Sequence, residues 1–69
     1  MNTRADDIKY LKDNKDGLFK VEQRQKILNS ENDYRFLVSE YDDHANTWKE
    51  YHEVIGKDHL QAFERYKVR

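Results

Sequence analysis

A chain of 69 residues holds one domain, and at that length folding buries only about 60% of the surface the unfolded chain exposes, so any core is small. Thirteen Lys and Arg against fourteen Asp and Glu leave a net charge of -1, which excludes a polyelectrolyte tail, and the absence of Cys excludes a disulfide framework or a thiolate zinc site. No apolar run approaches the roughly 18 residues of a membrane helix and no hydrophobic leader follows Met1, so a cytoplasmic location is expected.

With no Pro and only Gly17 and Gly56 to break it, a chain rich in Lys, Glu, Gln, Arg and Leu reads as helical throughout. The expected fold is an all-α domain spanning 1–69, a small bundle of three to four helices. A first helix starts after Thr3 as N-cap, with Asp6 and Asp7 in its first turn and Ile8 and Leu11 as its apolar edge. Asp13 to Gly17 then reads as a turn. A second helix covers about Leu18 to Leu28, with Leu18, Val21, Gln25 and Leu28 on one face; a short strand at Leu18 to Val21 is its main competitor.

The third helix is the long one, about 31–55. Ser30 is its cap, with Asp33 three residues on. Apolar side chains recur in steps of mostly three and four, from Tyr34, Leu37, Val38 and Tyr41 through Ala45, Trp48 and Tyr51 to Val54 and Ile55. Gly56 ends it. A C-terminal helix, about 58–68, opens with the capping box Asp58 and Gln61 and carries Leu60, Phe63 and Tyr66 on its apolar edge.

Charge is uneven along the chain. Residues 1–29 carry seven basic and five acidic side chains (+2), residues 30–55 two basic and seven acidic (-5), and residues 56–69 four basic and two acidic (+2). The acidic middle either packs against the basic ends or faces a basic partner.

Catalytic equipment is sparse. Aligned on Gly17, an EF-hand loop would have Asn14 and Asp16 at its third and fifth positions, but Lys12 at the first and Gln23 at the twelfth, so calcium is not expected. Glu40 and His44 stand one helical turn apart, while His52, two turns further on, is too far to join them; with His59 the three histidines read as surface or partly buried side chains, and no metal or other cofactor is expected. Thr3 and Ser30 serve as caps, Ser39 and Thr47 lack an oxyanion-hole loop, and Asp42 and Asp43 are adjacent, a spacing that sends them to different sides of a helix. The chain is not expected to be an enzyme.

Nine aromatic residues in 69 are the strongest anomaly. Tyr and Trp recur at interface hot spots because they bury large areas while keeping a polar atom satisfied. The expected function is therefore protein binding: a small adaptor or inhibitor, of the size of phage or bacterial regulators, docking on a larger protein. Tyr41, Trp48 and Tyr51 would anchor it, with Glu40, Asp43 and Glu50 fixing the register. A DNA-binding regulator using Lys20, Arg24, Gln25 and Lys26 on the second helix ranks behind, because the chain is net acidic. A homo-oligomer pairing along Tyr34 to Ile55 is the third reading.

Overall fold

Alternation, rather than a three-four repeat, governs residues 18–42. Phe19 and Val21, and again Phe36 and Val38, are two apart and fully buried or nearly so, while their neighbours face the other way. Aromatic and β-branched side chains at period two suit a pleated strand. The structure, a computed structural model, describes residues 8–15 and 17–68. It contains strands β1 (Ile8–Lys12), β2 (Leu18–Lys26), β3 (Tyr34–Asp42), β4 (Thr47–Trp48) and β5 (His52–Gly56), followed by helix α1 (His59–Val68).

The all-α expectation is thereby corrected. The segment read as a helix over 31–55 is a loop, strand β3, a tight hairpin and two short strands, and the second predicted helix is strand β2. The proposed start of a first helix at Thr3, Asp6 and Asp7 lies outside the described residues; Ile8 and Leu11 belong to β1. The helix expected from about 58 is present and runs from His59 to Val68. Its entry matches the sequence signal: Asp58 Oδ1 accepts the Gln61 N–H at 2.8 Å, and Gln61 Oε1 accepts the Lys57 N–H at 2.8 Å.

All strand pairings are antiparallel. β1 pairs β2, β2 pairs β3, and the two short strands share the far side of β3. β4 takes its C-terminal end (Tyr41 opposite Trp48), and β5 its N-terminal half (Val38 opposite His52). Helix α1 packs on one sheet face, where Phe19, Val21, Phe36, Val38 and Val54 meet Ala62 and Phe63; Leu11, Tyr34 and Tyr66 close the margins. Gly56 lies within this layer, and an added Cβ there would stand 3.3 Å from the Ala62 nitrogen, so the close crossing of α1 requires the missing side chain.

Two irregularities break the alternation. Between Gln23 and Gln25 the register of β2 against β3 slips by one, leaving Arg24 as the extra residue. On the far side of β3, Lys49, Glu50 and Tyr51 lie opposite only Ser39 and Glu40, a three-against-two bulge. Buried Ser39 fixes this bulge by donating its hydroxyl to the Lys49 carbonyl at 2.7 Å.

The turns use short carboxylates as acceptors. Asp13 Oδ1 accepts the Gly17 N–H at 2.7 Å and the Lys15 N–H at 2.9 Å. Asp42 Oδ1 accepts the N–H groups of His44 and Ala45, and Asn46 completes that hairpin at φ 60°. Ser30, expected as a helix cap, instead donates its hydroxyl to Asp33 Oδ2 and ties the β2–β3 loop. The Gly17 N–H holds the Asp13 carboxyl below its ordinary value of 3.8, and the Ala45 N–H, with that of His44, does the same for Asp42. A carboxyl whose pKa is lowered by folding stabilises the fold above its unfolded value and ceases to as pH falls through the folded one. The urea midpoint is therefore expected to fall as pH drops below about 4, and Asp13→Asn to flatten part of that slope. An Asp13→Asn profile that overlays the wild type in this range would show that the turn is not its source.

Candidate functional site

An antiparallel sheet covered on one face normally presents polar side chains on the other. Here the strand registers place apolar and aromatic side chains (Ile8, Tyr10, Leu18, Leu37, Tyr41, Trp48 and Ile55) on the uncovered face among the polar Lys12, Lys20, Glu22, Arg35, Ser39 and Glu53. Tyr10 is 61% exposed, Tyr51 40% and Ile55 41%, and no element covers them among the described residues. A large apolar patch left open on a small protein marks a contact surface.

Trp48 is its centre. Its ring meets Tyr41 edge-on at 5.3 Å between centroids and Tyr10 at 6.1 Å in a tilted arrangement. The Lys20 ammonium lies over the Trp48 ring at 4.9 Å and over the Tyr51 ring at 5.1 Å. The bulge makes this possible. In an unbroken strand Trp48 and Tyr51, three apart, would face opposite ways; one extra residue restores Tyr51 to the side of Trp48 and leaves His52 against α1, where its ring meets Tyr66 at 5.4 Å. The phenol of Tyr41 donates to Asn46 Oδ1 at 3.3 Å, tying the hairpin end to the cluster.

The expected anchors Tyr41, Trp48 and Tyr51 thus lie together, on strands and a bulge rather than on one helix. Their expected acidic companions do not share their face. Glu40 projects to the opposite side, 3.5 Å from Lys49 Nζ and 3.4 Å from the Tyr66 hydroxyl. It lines a cleft of about 430 Å³ with Asp13, Phe19, His52, Tyr66 and Lys67. Asp43 is exposed in the hairpin turn and Glu50 in the bulge.

The residues considered for DNA are dispersed as well. Lys20 is in the aromatic cluster, Arg24 in the β2 bulge with its guanidinium 3.7 Å from Glu22, Gln25 opposite Arg35, and Lys26 opposite Tyr34. They lie on strand β2 and not on the helix expected to carry them. Sequence reasoning missed Tyr10, whose signal was the pattern Ile8-x-Tyr10-x-Lys12, a two-residue period read as part of a helix.

The histidines are separate: His44 in the hairpin turn, His52 on Tyr66, and His59 against the Phe36 ring at 5.1 Å. Among the described residues no three His, Cys, Asp or Glu side chains converge as a metal site, and no helix is long and apolar enough to cross a membrane. Compared with protein-family models, curated proteins and solved structures, the chain matches none.

Proposed function

We propose that this chain is a small protein-binding regulator, an adaptor or inhibitor that docks on a larger protein through the helix-free face of its sheet. The observation that carries the reading is the side-chain inventory of that face. Four aromatic residues gather about one lysine, with Leu18 and Leu37 beside them, on a face whose remaining positions are the polar groups usual for an uncovered sheet. Three of the four aromatics are tyrosine, which suits a surface that must be wet when free and buried when bound. The rim carries the ion pair Arg35–Glu53 at 3.2 Å and the exposed Asp43 and Glu50, a polar border around an apolar centre.

The test is site-resolved photo-crosslinking in the cell of origin. A benzophenone amino acid in place of Tyr10 should give an adduct with one larger protein, whose purified form then binds the unmodified chain. The same group in place of Leu60, on the exposed side of α1, should give none. Adducts of twice the chain's own mass would favour a homo-oligomer, and nuclease-sensitive adducts a nucleic acid. Equal yields at the two positions would overturn the choice of face.

A further inference from the structure

Granting that the helix-free face docks a protein, the partner must answer Lys20. We propose that Lys20 is the receptor for one carboxylate of that partner, an Asp or Glu side chain set among apolar residues and inserted beside Trp48 and Tyr51.

The cations on the face differ in what holds them. Arg35 is paired with Glu53 at 3.2 Å and Arg24 lies 3.7 Å from Glu22. Lys12, exposed at the end of β1 opposite Leu18, lies over none of the rings. Lys20 is different: among the described residues no carboxylate lies within ion-pair distance of it, and two aromatic rings hold its ammonium instead. Ring faces stabilise a cation without using its N–H donors. The lysine is therefore held in place with its hydrogen-bonding capacity unspent.

Docking changes its surroundings. An apolar surface laid over Tyr10, Trp48 and Tyr51 removes the water that solvates Lys20, and a desolvated ammonium is costly unless an anion replaces that water. A partner offering only apolar groups would lose at this point what it gains around it. One carboxylate restores the balance and fixes register, because Lys20 lies inside the aromatic cluster, against Trp48 and Tyr51.

The surroundings favour a single carboxylate over the repeated phosphates of a nucleic acid. Glu22 and Glu53 share the face, and Asp42, Asp43 and Glu50 lie around the hairpin and bulge beside it. These charges repel a polyanion and tolerate one anion at the middle.

A library of random 12-residue peptides displayed on phage, selected on the immobilised full chain, tests this. Enriched peptides should carry an Asp or Glu flanked by apolar or aromatic residues. Synthetic versions should bind Lys20→Met roughly thirtyfold more weakly than the wild type, with Lys20→Arg recovering most of the affinity. Circular dichroism and a thermal melt of each variant confirm that the fold is kept. If enriched peptides lack an acid, or bind Lys20→Met as well as the wild type, the Lys20 assignment is overturned while the docking face stands, provided Tyr51→Ala weakens them. If no peptide is enriched, or Tyr51→Ala leaves binding unchanged, the docking reading falls with it. Lys20-dependent binding of a dT12 oligonucleotide, stronger than that of any peptide, would assign the cation to phosphate and overturn the proposal.

Discussion

Phe36→Ala is expected to leave the chain unfolded at room temperature. Phe36 is wholly inaccessible to solvent and sits on β3, an inner strand with neighbours on both sides. Its ring packs edge-on against Tyr34 at 6.3 Å and His59 at 5.1 Å, joining the sheet to the start of α1. Truncating a buried Phe removes about 3–5 kcal/mol, and a single core in a domain below about 70 residues supplies about the same. No disulfide compensates. Far-UV circular dichroism at neutral pH should show the loss directly, whereas Phe36→Leu should cost about 1 kcal/mol and keep a cooperative urea transition. A cooperative Phe36→Ala transition close to the wild type would place the stabilising core elsewhere.

Trp48→Ala should do the reverse, leaving the fold and abolishing the docking. The side chain is half-buried on the uncovered face and lies outside the cluster that joins sheet to helix, so its removal should lower stability by about 1 kcal/mol. A tryptophan at the centre of an interface contributes about 2 kcal/mol or more, roughly thirtyfold in affinity. Titration calorimetry with the crosslinked partner measures the second number and a urea melt the first. Unchanged affinity would remove Trp48 from the anchors. An unfolded Trp48→Ala would move the aromatic cluster from contact surface to core.

The two variants separate what one stripe of apolar residues had merged. Tyr34, Leu37, Val38 and Tyr41 occur at steps of three and four, and that spacing alone describes a helix. In the strand they fall on both sides: Tyr34 and Val38 towards α1, Leu37 and Tyr41 away from it. Because both faces of β3 carry apolar residues, alternation left little mark in the sequence, and a helical stripe could be drawn through residues that never share a surface. Phe36, left off that stripe, is among the most buried side chains in the protein. The Trp48–Tyr51 spacing misled for a further reason, since a bulge places residues three apart on one face as a helix does.

The capping signals were real chemistry with an ambiguous address. Asp and Ser side chains that accept or donate at nearby backbone and side-chain groups serve loops as readily as helix ends. Asp58 and Gln61 do cap a helix, while Ser30 and Asp33 close a loop between strands. What separates them lies outside the local pattern: α1 has a sheet face to cover, and the chain after Asp33 has neighbouring strands on both sides. Tyr41, Trp48 and Tyr51 could be grouped from the sequence by residue type, and the structure brings their rings together. The separation of Glu40 from them, and the arrival of Tyr10 and Lys20, depend on long-range pairing that no local window contains.

Strand β5 has β3 on one side and, among the described residues, no strand on the other. The Arg65 guanidinium reaches back from α1 and donates to the Ile55 carbonyl of that strand. An exposed edge is a template on which further chains can add, growing towards cross-β fibrils, and each incoming strand needs free acceptors in register. Arg65 occupies one of them, at the fourth residue of a five-residue strand. The C-terminal helix thus does more than cover the core: through Arg65 it also occupies a backbone acceptor that an added strand would need.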